Sequence, residues 1–269
     1  MGYGIALHSI IPVRAEASEA AEQTTQILFG ETFDVLEQKP RWNRVKLHQD
    51  GQEGWIDEKM CTPMSAKEYK AYKAAYKTAA TVAFPMAYAV SENNGQTIPL
   101  TAGTKLTNYQ SPMTNEAGPA RFEILGVGFR IDPSMVITAP REMNEQNLLQ
   151  TVRFFLNIPY LWGGKNAMGM DCSGFTQIVM SLFGKNLKRN ASEQVTQGRE
   201  IKSLAKVQAG DLLFFDHEDA KISHVGIAID KDRIIHCSGR VKVEKLDETG
   251  IFNAEQGNYS HHLVTIRRI

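Results

Sequence analysis

The sequence predicts an α+β domain preceded by two small β-barrels. Three observations carry that expectation. The first half is filled by short runs of alternating apolar and polar residues, punctuated by turn residues. A lysine- and alanine-rich stretch interrupts them once. The last half opens with two segments of helical periodicity and continues in β-like runs, the order of helices first and sheet later.

The first barrel is placed at residues 1–64. FDVLE and RVKLH nearly alternate, and Asp50–Gly51 is a hairpin turn signal. Polar SEAAEQTTQ, residues 18–26, carries Glu19 and Glu22. A linker helix is expected over 65–80, because SAKEYKAYKAAYK is rich in helix formers and spaces Tyr69, Tyr72 and Tyr76 as one packing face. The second barrel spans 81–140, from TVAFPMAYAV to ARFEILGVGFRIDPS, and its AGTKLTNYQ answers GETFDVLE of the first as a weak repeat. The last domain, 141–269, begins with a helix through Leu148, Leu149, Val152, Phe155 and Leu156 that Pro159 stops. A second helix follows in DCSGFTQIVMSLFG, with Phe175, Ile178, Val179, Leu182 and Phe183 on one stripe and Gly184 as its stop. The runs AGDLLFFD, SHVGIAID, RIIHCSG and HHLVTIRRI then read as an antiparallel sheet.

Composition excludes several partner classes. The 269 residues are 42% hydrophobic and 22% charged, with 30 acidic against 30 basic side chains, so net charge recommends neither nucleic acid nor an anionic membrane. No apolar run approaches the ~20 residues that cross a bilayer. The N-terminus, broken by His8 and Pro12, is a poor signal peptide, so a cytoplasmic location is expected, or a periplasmic one if a signal has been removed. Cys61, Cys172 and Cys237 form neither a disulfide framework nor a CxxC pattern. Cys61 and Cys237 read as packing residues.

Cys172 is different, because it stands between Asp171 and Ser173 where a helix begins. Unpaired N–H groups and the helix dipole lower a thiol's pKa there, and a nearby imidazole prepares it for acyl transfer. Of seven histidines, His8, His48 and His217 fall in polar or turn-like surroundings, and His261 and His262 near the C-terminus. His224 and His236 lie in consecutive strand-like runs joined by a turn at Lys231–Asp232, so two adjacent strands can hold one imidazole beside the thiol and the second behind the first, fixing its tautomer. A metal site from Asp171, Cys172, His224 and His236 lacks the usual ligand spacing, so no metal and no other cofactor is expected.

PYLWGG, MDCSGF, RNASEQ, AGDLLFFD, SHVGIAI and IIHCSG stand in the order seen in NlpC-type cell-wall cysteine peptidases, which the last half of the chain resembles. The earlier barrels resemble the bacterial SH3-like modules that precede this domain in γ-D-glutamyl–diamino acid endopeptidases. The resemblance implies a papain-like catalytic domain that hydrolyses the γ-D-glutamyl–diamino acid amide of peptidoglycan stem peptides. It implies Cys172 as nucleophile, His224 as general base and His236 as the residue orienting it. It implies Tyr160 near the oxyanion, Asp171 and Ser173 holding the peptide's amino end and backbone, Ser192 touching substrate, and Trp162 lining the cleft. Arg189 could meet a carboxylate; a solvated charge is its other reading. In the subgroup an acidic residue of the first barrel pairs with the free amine of L-alanine, which makes Glu19 and Glu22 candidates and free stem peptides, met by a monomer, the expected partner. Gln52 stands before GW where that subgroup often has an aromatic. An acyltransferase or amidase using the same Cys–His–His set, a wall-binding protein acting through its barrels, and a regulatory thiol remain alternatives.

Overall fold

The computed structural model describes residues 2–112, 118–216 and 221–269. The chain divides into two compact units, residues 1–139 and 140–269.

In the first unit, seven antiparallel strands run in the order Gln23–Leu28, Ile10–Arg14, Glu53–Asp57, Trp42–Leu47, Thr32–Lys39, Gly2–Ile5 and Thr62–Met64. Their inward residues Ile11, Val13, Ile27, Phe33, Val45, Leu47 and Ile56 form one core, and Trp55 is buried. The Asp50–Gly51 turn joins two of these strands, with Gly51 at φ 82° and the Gln52 N–H donating to Asp50 Oδ1 at 3.0 Å. Helix α1, Ala66–Tyr76, starts in a capping box of Ser65 and Glu68. Its tyrosines pack as the spacing predicts: Tyr69 stacks on Tyr3 at 4.1 Å, and buried Tyr72 donates its hydroxyl to the Gly30 carbonyl at 2.7 Å. Gly30 has φ 79°, and a Cβ there would lie 2.8 Å from the Tyr72 hydroxyl, so glycine is required twice over. Tyr72→Phe is expected to cost about 1 kcal/mol, read as a lower urea midpoint at unchanged slope.

Four strands (Thr97–Leu100, Ala87–Ser91, Val127–Ile131, Ala120–Ile124) and three shorter ones (Lys105–Leu106, Ala80–Val82, Val136–Ile137) complete this unit. Their core of Val82, Ala89, Leu100, Leu106, Phe122 and Phe129 is continuous with Ile5 of the first sheet and Phe29 in the turn that follows Gln23–Leu28. The two halves of the repeat differ in pairing: GETFDVLE contributes an eight-residue strand, AGTKLTNYQ a two-residue one, although Gly30 and Gly103 both take positive φ.

The second unit is built on a seven-stranded antiparallel sheet in the order Arg199–Glu200, Asn258–Arg268, Leu212–Asp216, His224–Ala228, Arg233–Ser238, Arg240–Leu246 and Gly250–Asn253. Gly250–Asn253 also pairs with Asn258–Arg268, so six strands close into a ring around Leu213, Phe215, Ile234, Leu246, Ile251 and Ile266. Helix α2 covers Glu145–Val152 and ends earlier than its periodicity suggests. After Val152 the chain tightens into turns closed by the N–H groups of Phe155 and Ile158, with Asn157 at φ 67°. Phe155 is still buried, but Leu156 is 41% exposed. Helix α3, Cys172–Leu182, is buried on nearly every side, and Gly184 at φ 74° follows its end. Among the described residues no helix is long and apolar enough to cross a membrane.

Candidate active site

The site is assembled at the start of α3. Asp171 is its N-cap, and its Oδ1 accepts from the Gly174 N–H at 2.7 Å. Its Oδ2 accepts from the N–H of Gly163 in the preceding turn at 2.9 Å. A Cβ on Gly174 would strike the Gly164 carbonyl, which is why the glycines of PYLWGG and DCSGF are required together. This close approach brings Tyr160 alongside the helix start.

Arg189 is no solvated charge. Its side chain is 1% exposed; Nη1 donates to Asp171 Oδ1 at 3.0 Å and to Ser173 Oγ at 2.8 Å, and Nη2 donates to Asp171 Oδ2. With Gly163, Gly174 and the Ser173 hydroxyl also donating, every lone pair of Asp171 is engaged. Gln194 ties this region together, accepting from Thr176 Oγ1 at 2.8 Å and donating to the Ser173 carbonyl at 3.1 Å.

Cys172 is 7% exposed. The expected lowering of its pKa by the helix start does not prevail. Burial, and then the Asp171 carboxylate, push the thiol up to about 11, against hydrogen bonds from the backbone N–H groups of Val225 and Ser173 and the charge of Arg189. Without a proton acceptor the group is therefore a neutral thiol at physiological pH. Val225, whose N–H reaches the thiol, follows His224 at the start of its strand. Tyr160 is held by its own N–H to the Gly239 carbonyl at 2.9 Å. Burial, the thiol and Asp171 raise its phenol far above the ordinary range, so it stays a donor.

Two buried imidazoles lie on the strands that follow. His224 Nε2 and His236 Nδ1 are 2.8 Å apart, with the rings at 86°. The pairing of Gly226 with His236 puts the two histidines on adjacent antiparallel strands, as their spacing in the sequence suggests. Two further residues, missed in the sequence, join them. Glu244 Oε2 lies 2.7 Å from His236 Nε2, and its Oε1 accepts from Lys242 Nζ at 3.1 Å. His261 is buried and stacks on His224 with centroids 4.1 Å apart. The Ser238–Gly239 turn, which sets Lys242 opposite His236, is the signal that could have located Glu244.

The remaining expected residues differ in burial. Ser173 is buried beside Arg189, Trp162 is 61% exposed, and Ser192 is exposed on the short Ala191–Gln194 helix. Glu19 and Glu22 are exposed in the first unit, outside any helix or strand, with Glu19 Oε1 3.9 Å from Arg41 Nη2. His217 lies outside the described residues. Among the described residues no cluster of three or more His, Cys, Asp or Glu is arranged to hold a metal ion.

A buried thiol at a helix start that accepts from the N–H of Val225, together with a hydrogen-bonded imidazole pair that begins at the preceding residue His224, is a constellation suited to cysteine hydrolysis. Residues 157–262 match the NlpC/P60 family, and residues 13–60 match the bacterial dipeptidyl-peptidase SH3 domain. The chain thus carries an NlpC/P60 domain together with a bacterial SH3 domain, and it is a cysteine peptidase of that type. It is 28% identical over 257 residues to a gamma-D-glutamyl-L-lysine dipeptidyl-peptidase of Bacillus subtilis, covering 91% of this chain and 80% of the relative. A protein of the same name from Bacillus cereus is 25% identical, over 81% of this chain and 68% of its own. The fold matches the crystal structure of an NlpC/P60 family protein from Bacillus cereus with a TM-score of 0.82, at 18% identity and over 99% of both chains.

Proposed function

We propose that this peptidase hydrolyses the amide between γ-D-glutamate and a diamino acid, acting on free L-Ala–γ-D-Glu–diamino acid fragments of peptidoglycan as a monomer. The observation that carries the reading is the imidazole pair at 2.8 Å together with a helix-start thiol. The names of the two Bacillus relatives support the bond class. We read residues 141–269 as an α+β, papain-like domain and residues 1–64 and 81–140 as SH3-like barrels joined through the 65–80 segment.

In this mechanism Cys172 gives its proton to His224 as Sγ attacks the γ-glutamyl carbonyl carbon. The oxyanion is stabilised by the Tyr160 hydroxyl, which its raised pKa keeps protonated. The His224 imidazolium then protonates the leaving amine, and a thioester remains on Cys172. His224 next takes a proton from water, which attacks the thioester and releases L-Ala–γ-D-Glu. His236 orients His224 throughout. Because its lone pairs are engaged, Asp171 acts on the peptide's amino end through Ser173, with buried Arg189 holding both in place, and Ser173, Trp162 and Ser192 form the substrate contacts.

Mass spectrometry of products from the free tripeptide and from intact cross-linked sacculi tests the reading. Release of L-Ala–γ-D-Glu from the tripeptide alone is expected; cleavage of sacculi would remove the requirement for a free amine. Glu19 or Glu22 is assigned as the counter-charge to that amine. Substitution of the responsible carboxylate by alanine is expected to raise KM for the tripeptide severalfold at unchanged kcat, and unaltered KM in both variants would end that assignment.

A further inference from the structure

We propose that Glu244 is a positioning residue whose carboxylate fixes the tautomers of both His236 and His224, leaving Nδ1 of His224 as the nitrogen that takes the thiol proton. The inference rests on the cysteine-peptidase reading of the site, not on the identity of its substrate.

The argument is one of hydrogen-bond direction. A carboxylate only accepts, so the 2.7 Å contact to His236 requires a proton on His236 Nε2. A neutral imidazole then has a bare Nδ1, which can only accept. The 2.8 Å contact therefore requires a proton on His224 Nε2, and His224 Nδ1 is bare in turn. Both conditions are met. Burial would raise the Glu244 carboxyl, but hydrogen bonds from His236 and Lys242 outweigh it and hold the group below the ordinary carboxylate range. Burial pushes His236 below its ordinary value although Glu244 opposes, so it rests neutral.

Other charges face the pair. Lys242, on the strand of Glu244, shares the carboxylate and disfavours a cation on His236. His261, on the final strand, stacks on His224. From the helix start come Cys172 and Asp171, with Arg189 against Asp171. Glu244 is the anion hydrogen-bonded to the imidazole pair. When His224 accepts the thiol proton, that anion stabilises the imidazolium through His236, and Lys242 weakens the effect.

Two opposed substitutions test this. In the wild type, ¹⁵N spectra of histidine-labelled protein should show His224 and His236 both protonated at Nε2. Glu244→Gln, which can donate as well as accept, should mix the tautomers and slow Cys172 alkylation by iodoacetamide at neutral pH about tenfold or more. Lys242→Met should act in the opposite direction, with faster alkylation and the histidine titration moved to higher pH. Alkylation needs no peptide, so a wrong substrate would leave these results standing. A wild-type His236 protonated at Nδ1, or Glu244→Gln with unchanged tautomers and alkylation, would overturn the proposal. Should Glu244→Gln not fold, a Lys242→Met protein with unchanged or slower alkylation would do the same.

Discussion

Cys172→Ala is expected to lower kcat for the free tripeptide by on the order of 10⁶-fold, the scale seen when a covalent nucleophile is removed from an assembled site. Nothing nearby can replace it. Cys237 is fully buried, its thiol donates to the Met170 carbonyl at 3.1 Å, and burial and the neighbouring Cys172 push it up to about 12. The substitution removes one sulfur from a packed position and should leave the circular dichroism spectrum and a cooperative unfolding transition intact. Surviving hydrolysis would remove Cys172 from the nucleophile's place. The wild-type pH profile has a definite sign. A thiol raised to about 11 reacts only by passing its proton to a neutral imidazole, so activity is lost on the acid side as the histidine pair becomes protonated. Burial lowers His236, so this imidazole should become charged below the ordinary histidine value of about 6.5. A ¹⁵N titration of His236 with its midpoint well above that value would contradict a neutral resting His236.

The helix-start thiol and the two strand histidines were legible as a cluster because each carries a local signature. An Asx cap and glycines mark the start of α3, and strand alternation with a tight turn places the histidines side by side. The end of α2 was not legible: apolar spacing continues through Leu156, but the turns that cut the helix depend on packing Phe155 into the second unit. Glu244 and His261 reach the pair only through strand register, Glu244 one hairpin away and His261 from the last strand, which returns beside Leu212–Asp216. Arg189 was left between a carboxylate partner and a solvated charge, because flanking polarity does not reveal that the side chain is buried against the Asp171 carboxylate at the helix start. The thiol's pKa was misjudged for a related reason. The helix start supplies N–H groups, as expected, but the cap that creates it is an aspartate whose negative charge opposes the thiolate.

Arg189→Met is expected to destabilise the protein by about 3–5 kcal/mol, the usual cost of leaving one partner of a buried ion pair uncompensated. Methionine nearly fills the space, so the loss is electrostatic. The Asp171 carboxylate would keep its backbone donors but lose its counter-charge at 8% side-chain exposure, and Ser173 would lose a donor. Arg189 also draws the thiol down where Asp171 drives it up, so alkylation of Cys172 should slow in whatever fraction remains folded. The double variant Asp171→Asn with Arg189→Met separates charge from packing. Asparagine still caps the helix but carries no charge, so the second substitution should restore part of the lost stability instead of adding to the loss. Denaturant titrations of the two single variants and the double variant would measure the coupling. Purely additive losses would mean that Arg189 supports the helix start by filling volume, and that its charge plays no part in setting the thiol.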